Sequence, residues 1–343
     1  MRLLSRDLGI DLGSANVLIY ASGKGIVLRE PSVVAVDKNT GKILQVGSAA
    51  WNMMGRTPGN VVAMRPLKDG AISDFEMTEK MLEIMLRKAT SQVLVKPRVV
   101  ISVPSGITEV EERAVINAAM EAGARRVYLI EEPLAAALGA NLDISGPKGH
   151  MVVDIGGGTT DIAVVTMNGV AVSSSIKYAG DAFDNAIIRY VRRTHGAIIG
   201  QNTAEEVKRT IGCVYARPDE VSIKVTGRDL KTGLAKDVTL TSTGIQEALR
   251  RPARQITDEI LYVLEQTTPE LVADIAQSGI VLTGGGSLIW GMDLLIRDKT
   301  ELPCIIADDT ESCVALGCGK SLAWMNHMQE GPINLARRRA MKE

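Results

Sequence analysis

The sequence predicts an α/β protein made of two related halves, with central sheets covered by helices on both faces. Two stretches are near copies of each other: Leu8–Asn16 and Met151–Asp161. Each is an apolar strand that ends in an aspartate and is followed by a turn of small and hydroxyl residues. Strand-like and helix-like patterns alternate after each copy. At 343 residues the chain is long enough for two domains, so the repeat indicates two α/β domains with a cleft between them.

The first half opens with a three-stranded meander, because apolar runs at Leu8–Asp11, Val17–Tyr20 and Ile26–Leu28 are separated by turn residues. Residues 32–70 hold short strand patterns among several glycines and prolines, and we interpret them as a small, loop-rich insertion. Ser73-Asp-Phe-Glu76 has the spacing of a capping box and predicts the start of an amphipathic helix.

Two strand-and-helix units complete this half. Arg98–Val103 predicts a buried strand, and a capping box at Thr108–Glu111 predicts a helix that Gly123 ends. Val127–Ile130 predicts the next strand, and Glu131-Glu132-Pro133 leads into an alanine-rich helix, Leu134–Leu138.

The second half repeats this plan after a boundary at Asn141–Gly149. A hairpin over 151–165 is followed by a strand near Val170–Ile176 and a helix from Gly180 to Arg193. Later segments are an inserted region (197–240), one helix or two over Gly244–Gln266 with Pro252 inside, a strand Ile280–Thr283 and a final helix of small residues, Ser312–Trp324. We expect one domain from residues 1–143 with 316–343 (insertion about 32–70) and a second from 144–315 (insertion about 182–240).

The two turns have the groups needed to bind phosphate. Backbone N–H groups come from Gly13, Ser14, Ala15 and Asn16 in one turn and from Gly156, Gly157 and Gly158 in the other, with hydroxyls from Ser14, Thr159 and Thr160. Glycine lets the backbone approach phosphate oxygens that a Cβ would push away. Asp11 and Asp154 each end a strand and are candidates to hold Mg²⁺, through water. One such turn alone is an ordinary hairpin; two copies favour a nucleoside triphosphate between them.

Three further features allow more than one interpretation. Glu132 could position a water for attack on a γ-phosphate, or it could be a surface acid stabilised by a helix N-terminus. Glu205, Glu206, Lys208 and Arg209 share one predicted helix, and such charges are commonly a solvated face. Gly284, Gly285, Gly286 and Ser287 follow a strand and could let an adenine or ribose lie against bare backbone. There is no G-x-x-x-x-G-K-[ST] sequence, so the chain is not a P-loop protein.

Composition argues against several other classes of protein. The net charge of −1 and the aromatic content of 3% argue against nucleic-acid binding. The four cysteines form no C-x-x-C pair and are expected to be reduced and buried, and three histidines without ligand spacing argue against zinc. No apolar stretch reaches the roughly 18 residues that a membrane span needs, and the first residues are too short and polar for a signal peptide.

The ordered set of motifs resembles the nucleotide site of the superfamily of actin, heat-shock chaperones and sugar kinases. The set is Asp11-Leu-Gly-Ser, Glu132-Pro, Asp154-Ile-Gly-Gly-Gly-Thr, Glu205-x-x-Lys208-Arg209 and Thr283-Gly-Gly-Gly. Within it, Gly25–Ser32, Pro66–Asp74 and Ile130–Ala137 make the chain most similar to the MreB/Mbl family of bacterial actins. The family has threonine where this chain has Ser14, which keeps the hydroxyl.

This resemblance implies an actin-like ATPase fold, in which two ribonuclease-H-like α/β domains, each with a smaller inserted subdomain, surround a nucleotide cleft. It implies that Glu132 and Thr159 position the attacking water and sense the γ-phosphate, that Asp11 and Asp154 hold Mg²⁺, and that the helix face from Glu205 to Arg209 contacts ribose and adenine of ATP or ADP.

The resemblance further implies a cytoskeletal protein that determines rod cell shape. Such a protein polymerises into paired protofilaments, hydrolyses ATP slowly after assembly, and lies in the cytoplasm at the inner face of the membrane with the cell-wall elongation machinery. Candidate membrane anchors are Leu3 with Leu4, or Val93–Val95. Alternatives within the superfamily are an Mbl-type paralogue, an FtsA-like division protein or another bacterial actin, a chaperone ATPase module, and a small-molecule kinase.

Overall fold

The computed structural model describes residues 7–90, 95–323 and 331–332, and its strands and helices alternate along the chain. The strands are β1 (Leu8–Leu12), β2 (Asn16–Ala21), β3 (Gly25–Pro31), β4 (Val34–Asp37), β5 (Ile43–Val46), β6 (Val61–Met64), β7 (Leu67–Lys68), β8 (Ala71–Ile72), β9 (Arg98–Val103), β10 (Arg126–Glu131), β11 (His150–Ile155), β12 (Thr160–Thr166), β13 (Gly169–Ile176), β14 (Ala197–Ile198), β15 (Ser222–Asp229), β16 (Ala235–Thr241), β17 (Ile280–Thr283), β18 (Cys304–Ile306) and β19 (Gly331–Pro332). The α-helices are α1 (Ser48–Met53), α2 (Phe75–Thr90), α3 (Glu109–Glu121), α4 (Glu132–Gly139), α5 (Gly180–His195), α6 (Gln201–Ile211), α7 (Ser242–Glu265), α8 (Pro269–Ser278), α9 (Met292–Thr300) and α10 (Cys313–Ser321). Short 3₁₀ turns cover Gly285–Leu288 and Thr310–Ser312.

The two halves have central sheets of the same topology. The first sheet has the order β19-β10-β9-β1-β2-β3, and the second has the order β13-β12-β11-β17-β18. In each, an antiparallel meander (β1-β2-β3 or β11-β12-β13) is joined to parallel strands (β9 and β10, or β17 and β18). The duplicated α/β architecture expected from the two copied stretches is therefore confirmed. Their acids end equivalent strands, Asp11 on β1 and Asp154 on β11.

Two helices join the halves. Helices α4 and α10 pack on each other so closely that a Cβ on Gly139 or Gly317 would overlap the backbone of the other helix. Their side chains form one buried cluster with residues of both sheets, including Val100 of β9 and Val152 of β11. The small residues of the final helix thus allow close packing, as the sequence predicts. Because α4 begins at Glu132, this junction also fixes an acid at the base of the cleft.

A small sheet with one or more helices is inserted in each half. In the first, the sheet β5-β4-β6 carries α1, so the segment interpreted as loop-rich also contains a helix. In the second, the sheet β14-β15-β16 packs with α6. Helix α7 runs without a break through Pro252, which decides between the one-helix and two-helix interpretations.

The predicted helix starts have different outcomes. Thr108 and Glu111 form the expected reciprocal capping box. The box predicted at Ser73–Glu76 is wrong, because Asp74 caps α2 by accepting from the Met77 N–H (3.0 Å), while the Ser73 hydroxyl donates to the Pro66 carbonyl (2.9 Å). An Asp one position later offers a stronger acceptor for the same orphan N–H groups.

Some predictions fall on residues that are not described. Leu3, Leu4, Val93 and Leu94, the main anchor candidates, lie outside the described residues, as does Trp324. In the described part of the chain, no helix has the length and apolar character to cross a bilayer. The four cysteines are free thiols, and Cys304 is the one that is only half-buried.

Candidate active site between the two halves

A cleft of about 500 Å³ separates the two halves and collects most of the residues that the sequence predicts for a site. It is bounded by the turns that follow β1 and β11, the start of α4, one face of α6, and the segment after β17. The predicted residues that line it are Asp11, Gly13, Ser14, Ala15, Asn16, Glu132, Asp154, Gly156, Gly157, Gly158, Thr159, Glu205, Lys208, Arg209, Gly284, Gly285 and Gly286.

The two turns touch each other across the cleft. A Cβ on Gly157 would overlap the Ala15 side chain, and a Cβ on Gly158 would lie 2.8 Å from the Ser14 hydroxyl oxygen. That hydroxyl also accepts a hydrogen bond from the Gly70 N–H (3.0 Å). The glycines are therefore needed for the contact between halves as well as for approach to a ligand. A single anion between the turns would meet donors from both domains.

Acids gather below the turns at the carboxyl ends of β1 and β11. Burial raises the pKa of Asp11 to about 8, and repulsion by Asp154 contributes to the rise. Burial raises the pKa of Asp154 to about 7, although a 2.7 Å hydrogen bond from the Thr283 hydroxyl opposes the shift. Two carboxylates brought together out of water are unfavourable without a cation.

Glu132 is the third acid of this cluster. It is buried at the first turn of α4, and burial, followed by repulsion from Asp161, Asp11 and Asp154, raises its pKa well above the usual range. Asp161 lies opposite Asp154 on β12 and accepts a hydrogen bond from the Ser105 N–H (3.0 Å). The surface position considered for Glu132 is therefore wrong, because β10 delivers it directly to the floor of the cleft.

The donor set fits a divalent cation. Asp11 and Asp154 are hard oxygen ligands from the two halves of the chain, and burial first, then repulsion from a neighbouring aspartate, raises the pKa of each. A cation between them would offset both effects. Both line the cavity beside the two turns. A Mg²⁺ that also contacts phosphate oxygens suits this arrangement, and Asp11 and Asp154 are the residues that would hold it.

Helix α6 forms one wall through a buried ion pair. Lys208 lies 2.9 Å from Asp184 of α5, and its ammonium also donates to the Gly180 carbonyl (3.2 Å). Gly180 and Asp181 in turn donate their N–H groups to the carbonyls of Gly156 and Gly157 (3.1 and 2.8 Å). The α6 wall is thus tied to the second turn, and the interpretation of this face as wholly solvated is wrong for Lys208, whose side chain is 13% exposed.

Three predicted residues lie off the cleft. Thr160 is buried in β12 and its hydroxyl donates to the Tyr178 carbonyl (2.7 Å), while the Ser287 hydroxyl donates to the Gly284 carbonyl (2.6 Å). Glu206 is exposed and is not part of the lining. Each of these hydroxyls instead stabilises a turn that shapes the cleft, and the predicted ligand contacts of the three residues stay predictions.

Several lining residues were missed by sequence reasoning. Arg29 on β3 pairs with Glu311 (2.5 Å) and Ser312 across the two halves, and Arg29 and Glu311 both line the cleft. Arg217 lies over the Trp290 ring, 5.1 Å from its centre. Neither pair belongs to a short motif, since the partners are 282 and 73 residues apart. Asp161, a buried neighbour of Asp154 and not a lining residue, could have been found, because it follows the second turn in the sequence Thr159-Thr160-Asp161.

The family model for MreB/Mbl protein matches residues 5–330. The chain belongs to the MreB/Mbl family. Among relatives of this family member, the cell shape-determining protein Mbl of Bacillus subtilis (strain 168) is 50% identical over 335 residues, covering 97% of this chain and 100% of the relative. The cell shape-determining protein MreB of Escherichia coli (strain K12) is 49% identical over 326 residues, covering 93% and 94%.

Solved structures agree with this assignment. MreB5 of Spiroplasma citri bound to AMPPNP superposes with a TM-score of 0.90 at 39% identity, covering 94% of this chain and 97% of that one. The MamK double helical filament gives a TM-score of 0.79 over 93% and 99% of the two chains; at 23% identity this is a likeness of fold. The predicted family and actin-like fold are confirmed. With them, the predicted class of function is confirmed, that of an actin-like cytoskeletal protein of the cell-shape type.

Proposed function

We propose that this chain binds MgATP between its two halves, polymerises in the ATP-bound state and hydrolyses ATP slowly after assembly. The observation that carries the proposal is the contact between the two turns Gly13–Asn16 and Gly156–Thr159, which line the same cleft as Asp11 and Asp154. A triphosphate held there is bound by donors from both halves at once. Relatives support the choice of nucleotide, since MreB5 of Spiroplasma citri has been solved with AMPPNP and with ADP.

Nucleotide binding follows from the charge of each part of the cleft. The Gly156 N–H donates to the Thr159 carbonyl within its own turn (2.9 Å), so the other N–H groups of the turns, with the Ser14 and Thr159 hydroxyls, take the phosphates. Asp11 and Asp154 would hold Mg²⁺, which when bound would neutralise part of the phosphate charge. Glu205, Lys208 and Arg209 on α6, with Gly284–Gly286 opposite, take the ribose and base.

Hydrolysis rests on Glu132 and Thr159. Glu132 is buried at the floor of the cleft beside the turns. A water that donates a hydrogen bond to its carboxylate is therefore directed at the terminal phosphate. Burial, and after it repulsion from acidic neighbours, raises the pKa of Glu132, and neutralising the acidic neighbours favours the carboxylate that orients water. Thr159 lines the cleft and its side chain also packs under Gly70, so it links the terminal phosphate to the first half.

Assembly depends on ATP because the same ligand holds the halves together. Residues 1–143 with 316–343 form one domain, with an insertion at about 32–70, and residues 144–315 form the other, with an insertion at about 182–240. A nucleotide bound by turns of both domains stabilises the closed arrangement, and a closed subunit presents one fixed shape to its neighbour. Loss of the γ-phosphate weakens this arrangement and the polymer with it.

The cellular setting of the proposal is the cytoplasmic side of the membrane. The filaments lie there as paired protofilaments and organise the cell-wall elongation machinery. Relatives named for determining cell shape support this setting. Leu3 with Leu4, or Val93–Val95, are the candidate anchors.

The proposal is tested by sedimentation and electron microscopy of the purified chain, with and without liposomes, in the presence of Mg²⁺ and ATP, ADP or no nucleotide. We expect filaments with ATP, fewer with ADP, and release of phosphate that lags behind assembly. A chain that binds ATP but stays monomeric on and off lipid contradicts the assembly part. A chain that binds no nucleotide contradicts the whole proposal.

A further inference from the structure

We propose that Arg217 and Trp290 form the wall that positions the nucleobase, so that the base-dependent part of nucleotide affinity depends on this pair. The inference rests on the proposed function, because it assumes that a nucleotide occupies the cleft. The Arg217 guanidinium carbon lies 5.1 Å from the centre of the Trp290 ring, and both residues line the cleft.

The aromatic character of this wall sets it apart from the rest of the cleft. Among the described residues that line the cleft, Trp290 is the only aromatic one. Leu288 and Ile289 precede it and also line the cleft, and Leu288 is 58% exposed. Aromatic and guanidinium planes bind nucleobases by stacking. The phosphate end, in contrast, is made of backbone donors and acids.

The chain runs directly from the acids to the wall. Gly284 packs against the backbone of Ile155, next to Asp154, and the chain then runs through a 3₁₀ turn to Trp290. The phosphates and the base of a nucleotide are at its two ends. A nucleotide with its phosphates on the turns after Asp11 and Asp154 therefore directs its base along this segment.

Contacts within the chain hold the wall in place. The Val214 N–H donates to the Trp290 carbonyl (3.0 Å), next to the bridge that joins Cys213 and Trp290. Gly291 has φ of +79°, and a Cβ there would lie 2.5 Å from the Tyr215 Cβ, so this approach requires glycine. Helix α6 ends at Ile211, which brings Arg217 to the cleft within one short connection.

The geometry of the pair gives Trp290 and Arg217 different roles. Trp290 restrains the Arg217 side chain by a cation–π contact, and the guanidinium offers a flat cationic surface and several N–H donors to a base. Removing either partner should loosen the other. The triphosphate contacts, which belong to other segments, should not change.

The test compares ATP with inorganic tripolyphosphate, both with Mg²⁺, as competitors of a fluorescent ATP analogue. In the natural chain we expect ATP to bind more tightly than tripolyphosphate. In Trp290→Ala and in Arg217→Met we expect the dissociation constant for ATP to rise about tenfold or more, with that for tripolyphosphate unchanged. Tyr262→Ala, which removes an exposed aromatic outside the cleft, is the matched control and should change neither.

A second readout does not require loss of the ring. With Trp51 and Trp324 replaced by phenylalanine, Trp290 is the only tryptophan, and its fluorescence should change with ATP or ADP and not with tripolyphosphate.

The inference is overturned if ATP and tripolyphosphate bind equally well to the natural chain, if both variants keep the natural affinity for ATP, or if a folded variant loses both ligands equally. If the natural chain binds no ATP, the proposed function itself fails.

Discussion

Arg65 donates a 2.6 Å hydrogen bond to the Asp181 carboxylate and so joins the inserted sheet of the first half to the first turn of α5 in the second. Their side chains are only 14% and 21% exposed, and the Arg65 guanidinium also lies over the Trp51 ring. The Asp181 N–H donates to the Gly157 carbonyl (2.8 Å). This ion pair therefore connects the inserted sheet of the first half to the turn that holds Gly157.

We predict that Arg65→Met weakens ATP binding and ATP-dependent assembly together. The substitution keeps much of the aliphatic bulk, but it removes the charge that pairs with Asp181 and leaves that acid partly buried. The coupling free energy of such a pair is roughly 0.5–3 kcal/mol. Titration with ATP and sedimentation measure the two effects.

A double-mutant cycle separates this pair from general damage. Asp181→Asn alone should reduce ATP affinity. Adding it to Arg65→Met should reduce the affinity little further, because either substitution already breaks the ion pair. The matched control is Arg193 and Glu247, whose side chains are 73% and 65% exposed. Fully additive losses for Arg65 and Asp181 would exclude the coupling.

Gly157→Ala should prevent the two turns from meeting. The added Cβ overlaps Ala15, which belongs to the other half, so the halves must separate to accept it. We expect a loss of ATP affinity of at least tenfold with a nearly unchanged melting temperature without nucleotide, because the overlap lies in the cleft and not in either core. Calorimetry measures both quantities.

The control for this prediction is Gly146→Ala. A Cβ at Gly146 has no heavy atom within 4 Å and its backbone has no positive φ. The variant should bind ATP as the natural chain does. Equal behaviour of the two alanine variants would show that the turns are not in contact during binding.

Asp184 predicts a pH dependence of stability. Burial raises its pKa from 3.8 to about 6 although Lys208 opposes the shift. The folded chain then binds this proton more tightly than the unfolded chain, so the contribution to stability is complete below pH 3.8 and is lost as pH rises through about 6. Relative to Asp184→Asn, the free energy of unfolding of the natural chain should fall by up to about 3 kcal/mol as the pH rises from 3.8 to about 6. Above that pH it should change little.

Urea unfolding at a series of pH values measures this difference. Asp258→Asn is the control, because Asp258 is exposed and pairs with Arg254 one turn away on the same helix. That variant should follow the natural chain at every pH. A difference between the natural chain and Asp184→Asn that is constant from pH 4 to pH 7 would contradict the raised pKa.

The parts of the fold that the sequence predicts well are those with local signals. The copied strands and turns predict both sheets, because an apolar run bounded by turn residues has one main interpretation. The capping box at Thr108 also marks its helix correctly. At Ser73, two adjacent acceptors compete for the same N–H groups, and spacing alone does not decide that Asp74 caps the helix.

The missed parts depend on contacts between distant segments. Arg65 and Asp181 are 116 residues apart, and Arg29 and Glu311 are 282 apart, so no local pattern relates them. The burial of a side chain is also not visible in the sequence: Glu132 has the same local sequence as a surface acid at a helix start, yet acids from distant segments surround it in the fold. The sequence thus predicts the turns but not the ion pairs that connect the halves around them.

Glu132→Gln should separate hydrolysis from binding. The amide fills the same space at the start of α4, but it cannot accept a proton from a water as a carboxylate does, so phosphate release should fall by about 10²- to 10⁴-fold. ATP affinity should stay within about threefold or improve, since one carboxylate is removed from a cluster that repels phosphate. Glu259→Gln, an acid that accepts from the Ser174 hydroxyl (2.6 Å) outside the cleft, is the control and should hydrolyse normally. Single-turnover phosphate release on filaments measures the effect. Natural turnover by Glu132→Gln would show that another group orients the water, and Asp161, its acidic neighbour, would be the next residue to test.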